Sequence, residues 1–260
     1  MARLVFDIGG TNLRMALAEG GSLRDPRKGP TPRRPEDAVD ALARYALASG
    51  TAIDSVNGGV PGVVREGVAV DLPHLPGWNG FDIAAALERS VGADVTIGND
   101  ADLGGIGEAV LGAGKGERVV AYLAVGTGVG GSVVEDGRSR SQGRGFEPGR
   151  QVLELSTGRT LQDLVGGTAL SREFGPPAAS LPARVYEERT RALAVGIANA
   201  VRHWAPDVVV LNGSLLNDAN GFRIERIADE LARIEEGMPR LARAAFGDAS
   251  GLYGAACLGD

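Results

Sequence analysis

The 260-residue chain holds one cysteine, Cys257, and two histidines, His74 and His203. One thiol closes no intrachain disulfide, and these residues fall short of the four ligands a structural zinc takes, so no zinc site is expected. Aromatic residues make up only 5% of the chain. No apolar stretch approaches the ~18 residues of a membrane helix, and nothing ahead of the first motif reads as a signal peptide. The expectation is a cytoplasmic protein with no membrane partner. Lys28 and Lys115 are the only lysines among 27 basic residues, against 33 acidic ones, and the formal charge is −6. Without a basic block beyond the short cluster at 24–34, the footprint of a nucleic-acid binder is missing. What is present, 43% hydrophobic and 23% charged residues, is a globular composition sufficient for one sizeable domain or two small lobes.

The hydrophobic pattern predicts a buried strand at 4–8, a turn at Gly9-Gly10-Thr11-Asn12 and a returning strand at 13–18. The polar stretch 20–36, rich in Pro, Arg and Gly, predicts an exposed loop, and the spacing of Ala38, Leu42, Tyr45 and Ala46 a helix over 35–47. A strand at 53–60 is broken by Pro61-Gly62. A short hairpin about Glu66-Gly67, a Pro/Gly-rich loop carrying His74 and Trp78, a helix at 83–91 and a strand at 94–97 follow. A helix then runs from 99 to 111 with Asn99 or Asp100 as its N-cap. At 118–125 the opening pattern restarts: an apolar strand, a glycine turn over 126–131 and a returning strand at 132–135. Helices at 161–173, 181–205, 220–236 and 251–258 and a strand at 207–211 complete the chain. Two strand–glycine turn–strand units, each followed by α/β sequence, predict a duplicated α/β fold with a cleft between two lobes.

Glycine tips let backbone N–H groups approach a polyphosphate without a Cβ in the way, so two such hairpins facing each other can hold one, with Asp7 suited to a hydrated Mg²⁺. Each tip read alone is equally a tight turn. Gly126, Gly128 and Gly131 match the spacing of a dinucleotide fingerprint, but residues 132–137 read as strand and turn where that fingerprint needs a helix. Gly114-Lys115 is no Walker A loop, because Ala109 and Gly116 stand where a glycine and a Ser/Thr are required.

Asp7-Ile8-Gly9-Gly10-Thr11-Asn12 resembles the first phosphate motif of the ROK (repressor, open reading frame, kinase) sugar kinases, and residues 124–131, with Gly126, Thr127 and Gly128, resemble the second. Val60-Pro61-Gly62, the Leu75-Pro76-Gly77-Trp78 segment, Asn99-Asp100-Ala101 and Leu211-Asn212-Gly213-Ser214 fall where that family places its sugar loops, catalytic acid and adenosine contacts. The resemblance covers most of the chain. It implies a two-lobed actin-like ATPase (duplicated RNase H-like) fold, with residues 1–104 plus 250–260 in one lobe and 105–249 in the other. It also implies ATP and Mg²⁺ as cofactors, a hexose-like acceptor, a homodimer, Asp100 as catalytic base and Asn99 holding a neighbouring sugar hydroxyl. Helix capping accounts for a carboxylate at Asp100 equally well. The family's repressors carry a DNA-binding domain ahead of the first motif, and the six residues before Asp7 lead us to expect a kinase instead.

The departures from the family pattern bear on the acceptor. Glu147 keeps its place, but Arg150 stands where a histidine is usual, Gln162 where a glutamate is usual, and the zinc cysteines are missing. Arg150 either recognises an anionic substituent or pairs with Glu147, and His74 either reaches a sugar hydroxyl or lies at the surface. The expectation is an ATP-dependent kinase of a hexose-like sugar in the short, zinc-less form. Its alternatives are a catalytically silent sugar- or nucleotide-binding protein and a polyphosphate-dependent kinase.

Overall fold

The computed structural model describes residues 2–72, 75–141 and 145–258. The chain opens with β1 (Ala2–Ile8), β2 (Asn12–Glu19) and β3 (Ser22–Pro30), then α1 (Pro35–Ala48), β4 (Ile53–Val60) and a small hairpin of β5 (Val63–Arg65) and β6 (Val68–Asp71). Next come α2 (Ile83–Val91), β7 (Asp94–Asn99) and α3 (Asp100–Val110). The second half repeats the opening with β8 (Val119–Val125), β9 (Val129–Glu135) and β10 (Arg138–Ser139). There follow a minimal hairpin of β11 (Val152–Glu154) and β12 (Arg159–Thr160), α4 (Leu161–Val165), α5 (Gly167–Phe174) and α6 (Ala183–Trp204). The chain closes with β13 (Val208–Asn212), α7 (Ile224–Ile234), β14 (Arg240–Arg243) and α8 (Ser250–Ala256).

The two five-stranded sheets have the same topology. One runs β3-β2-β1-β4-β7 and the other β10-β9-β8-β13-β14. In each, an antiparallel hairpin forms one side and parallel strands continue from its first member. Side chains alternate across each sheet as the strand period of two demands. Leu4, Phe6 and Ile8 of β1 pack into a core with α1 and α2, and Leu123 and Val125 of β8 into a core with α6. Val5, Val120 and Tyr122 point the other way, into a third core where α3 and α8 lie between the sheets. Small residues allow that close packing: a Cβ at Gly104 would stand 2.8 Å from the Tyr122 ring, and one at Gly254 would collide with the Leu103 carbonyl.

A fully buried carboxylate ties this middle layer together. Glu108 of α3 accepts hydrogen bonds from the N–H groups of Ala113, Ala245 and Phe246 at 3.0, 2.9 and 3.0 Å and from the Ser250 hydroxyl at 2.7 Å. It thereby anchors the segment 245–250 that leads into α8. Glu108→Ala strands those donors without acceptors and is expected to cost about 3 kcal/mol or more, which thermal denaturation would register as a fall in Tm of ~6–12 °C for a chain of this size.

Four local expectations change. The stretch 20–36 is exposed, yet its first part is the edge strand β3, held by backbone pairing to β2 with a bulge near Asp25, whose φ is 48°. Charged side chains on both faces hid the alternation. The second glycine turn is confined to residues 126–128, because Gly130 and Gly131 already pair with Ala124 and Leu123 in β9. The helix expected over 161–173 breaks at Gly166, whose backbone is extended, with ψ of 144°. The helix expected from 220 begins at Ile224.

Candidate active site

Ligands of open α/β sheets bind beyond the carboxyl ends of the parallel strands. Here that edge of both sheets opens onto one cavity of about 570 Å³. The β1–β2 tip, Pro61-Gly62 after β4, the start of α3 after β7, the β8–β9 tip and Gly213-Ser214 after β13 reach it from the strand ends, and the segments at 146–150 and 247–248 and the start of α4 complete its wall.

The two tips are built alike. The Gly9 N–H donates to the Asn12 carbonyl at 2.8 Å, and the Gly126 N–H to the Gly128 carbonyl at 3.0 Å. Each turn closes on its first amide and leaves the next ones open: the N–H groups of Gly10, Thr11, Thr127 and Gly128 have no acceptor among the described residues. All four residues line the cavity. Successive unspent amides at a concave turn are an anion cradle. The first tip is braced by the Thr31 hydroxyl, which donates to the Gly9 carbonyl at 2.6 Å.

Asn99, not Asp100, caps α3. Its Oδ1 accepts from the Asp102 N–H at 3.1 Å, while its Nδ2 donates to the Gly62 carbonyl at 3.0 Å, fixing the turn after β4 to the helix start. Asp100 is left with one hydrogen bond, from the Ala101 N–H at 2.8 Å, and its carboxyl faces the cavity. Burial raises its pKa to about 7, the neighbouring charges of Asp7, Glu147 and Asp102 push the same way, and the Ala101 amide opposes them. A carboxyl poised near neutrality in a cleft is suited to accepting a proton.

Asp7, next to last in β1, lines the same cavity. Its carboxylate meets Arg14 of β2 at 3.4 Å, and Arg14 also reaches Asp248 at 3.1 Å. Burial raises the Asp7 pKa to about 6, Asp248 adds to the rise and Arg14 opposes it. No group of three metal-ligating side chains forms among the described residues. Asp7 is thus a single carboxylate beside the open amides, a donor set that fits a Mg²⁺ coordinated mostly by phosphate oxygens and water.

Pro61, Gly62, Glu147, Arg150 and Gln162 line the cavity, as do Asn12, Gly213 and Ser214, and Gln162 Oε1 lies against the β8–β9 tip, 3.4 Å from where a Cβ at Gly128 would stand. Arg150 meets Glu147 through Nε at 3.5 Å, both side chains about half exposed, so of the two readings of Arg150 the pairing with Glu147 is present here. His74 lies outside the described residues. Sequence reasoning passed over Arg14, Lys28, Tyr122 and Asp248, which line the cavity too, Lys28 meeting Asp248 at 2.6 Å. Arg14 left a signal, as a lone cation inside the otherwise apolar strand 13–18. Asp248 left none, because it arrives from the far end of the chain.

The family model described as ROK family matches residues 3–149. The glucokinase of Streptomyces coelicolor is 35% identical over 132 residues, which cover 49% of this chain and 42% of that one. The solved ROK hexokinase of Thermus thermophilus is 32% identical, covering 98% of this chain and 97% of its own, with a TM-score of 0.83. A ROK family glucokinase from Streptomyces griseus, solved in complex with glucose and AMPPNP, shares the fold with a TM-score of 0.82 at 22% identity, covering 99% of both chains.

Proposed function

The chain belongs to the ROK family, and on that premise we propose that it is a sugar kinase that transfers the terminal phosphoryl group of ATP to a hydroxyl of a hexose or hexose-like acceptor. The observation that carries this reading is the pair of glycine tips with open amides that line one cavity together with Asp100. Phosphoryl transfer asks a protein chiefly for positioning and charge stabilisation. The amides of Gly10, Thr11, Thr127 and Gly128 meet the phosphate oxygens, with Gly213 and Ser214 on the nucleoside side. Asp7 would hold a hydrated Mg²⁺, which when bound neutralises phosphate charge. Asp100 takes the proton from the attacking hydroxyl, and Asn99, locked to Gly62, places the neighbouring part of the sugar. Glu147, Arg150 and Gln162 read the remaining hydroxyls, and from its place in the sequence before Trp78 we assign His74 to the acceptor as well. Domain closure excludes water from the transfer. We place the enzyme in the cytoplasm as a homodimer.

The test is ADP release from ATP and Mg²⁺ against neutral, amino and acidic sugars. Turnover with at least one sugar is the expected result. Nucleotide binding without turnover on any sugar would replace the kinase with a silent binding protein. Arg14 and Lys28 on the donor side favour a second reading, with inorganic polyphosphate as donor; turnover with polyphosphate but not ATP would decide for it.

A further inference from the structure

Tyr122 of β8 is 4% exposed, on the sheet face covered by α3, and lines the floor of the cavity. Its oxygen accepts a hydrogen bond from Asn212 Nδ2 at 2.7 Å. The same amide donates to the Gly247 carbonyl at 2.9 Å and the Ser250 hydroxyl at 3.2 Å, so Asn212 is itself held and fixes where the phenol oxygen lies. With a lone pair engaged by Asn212, what the hydroxyl has left to offer is its proton. Nothing among the described residues accepts it.

Asp7 and Asp100 line the cavity with Tyr122, and neither is hydrogen-bonded to its hydroxyl. Burial chiefly, and these two carboxylates with Glu108, push the phenol well above its ordinary range, while the Asn212 amide opposes them. The group therefore stays a neutral donor at any working pH. A fixed neutral donor at the floor of an acidic cleft matches a ligand that only accepts hydrogen bonds, and phosphoryl oxygens do only that. A sugar hydroxyl would not need a donor whose acceptor role is already taken.

We propose that the Tyr122 hydroxyl donates a hydrogen bond to a terminal phosphoryl oxygen of the nucleotide, making it a further phosphate-contacting residue of the transfer. This rests on the kinase reading above. Tyr122→Phe isolates the hydroxyl. The ring that packs beneath Gly104 is kept, and the two amide hydrogens of Asn212 retain the Gly247 and Ser250 acceptors. Titration calorimetry with Mg·AMPPNP and Mg·ADP, on wild type and variant, reads the contact without requiring turnover. A hydrogen bond to a charged oxygen corresponds to about a 10-fold or larger effect. The variant is expected to bind AMPPNP about 10-fold more weakly, with ADP affinity and Tm unchanged within error. Equal affinities for AMPPNP in the two proteins, or parallel losses for both nucleotides with a lowered Tm, would overturn the contact while leaving the kinase standing. A wild type that binds neither nucleotide would remove the ATP reading and the contact together.

Discussion

Asp100→Asn is expected to lower kcat by about 10²- to 10⁴-fold, the usual contribution of general-base assistance, while the KM for the sugar moves little. Asparagine keeps the size and the ability to accept from the Ala101 N–H, and the cap of α3 belongs to Asn99, so the helix start is untouched. That separates base from cap, a distinction composition and spacing left open. Steady-state kinetics on the acceptor found by the sugar panel provides the measurement. Retention of more than about a tenth of wild-type kcat would remove Asp100 from proton transfer.

The same carboxyl sets a pH dependence whose sign is fixed. The base must be ionised to act, and its pKa is raised to about 7, chiefly by burial. Activity is therefore expected to fall as pH drops below about 7, and Asp7, raised to about 6, deepens the loss at lower pH. For stability the direction is opposite. A folded pKa of about 7 against an ordinary value of 3.8 means that protonation favours the fold. That contribution is complete below the ordinary value and is lost as pH rises through 7. At pH 8 wild type carries the cost of a charged, recessed carboxylate, and Asp100→Asn does not. The inactive variant is expected to melt higher at pH 8, by ~2–4 °C for about 1 kcal/mol, and the gap should close as pH falls below 7. A variant that is both inactive and less stable at pH 8 would point to disrupted structure instead.

The duplication was legible because each half begins with the same local grammar, an apolar strand, a glycine turn and an apolar return, and β1–β2 and β8–β9 take that form. The seventeen described residues singled out as site candidates line a single cavity, most of them because the strand ends that carry them share one edge, while Glu147, Arg150 and Gln162 come from the turn at 147–150 and from α4. The features that stayed hidden are those made by distant pairing. β3 and β14 are edge strands paired to one neighbour each, and only Leu23 of β3 and Leu241 and Ala242 of β14 pack against a core, too few to mark a side-chain period. Glu108 reads as an ordinary helix carboxylate until residues 245–250 arrive to use it. Arg14 and Asp248 meet only because α8 returns between the sheets and brings the segment before it to the rim of the first hairpin.

Asp7→Asn tests the donor half of the cleft, and its signature differs from that of Asp100→Asn. The carboxylate of Asp7 is 13% exposed, lies beside the open amides of the first tip and is balanced by Arg14. Asparagine preserves its shape and removes its charge. Arg14 keeps a partner in Asp248, at 3.1 Å, so the hairpin is not expected to unfold. What is lost, on the proposed reading, is the carboxylate that would orient a hydrated cation on the phosphates, where a preorganised charge is worth about 10²- to 10³-fold in rate. kcat/KM for Mg·ATP should fall by about that factor, and the Mg²⁺ concentration giving half-maximal rate should rise. The sugar dissociation constant should stay where it is if, as proposed, Asp7 serves the phosphates and not the acceptor. Asp100→Asn, by contrast, should lose kcat with an unaltered Mg²⁺ requirement. If Asp7→Asn lost activity without any change in Mg²⁺ requirement, the carboxylate would be acting through its pairing with Arg14 and not on the metal.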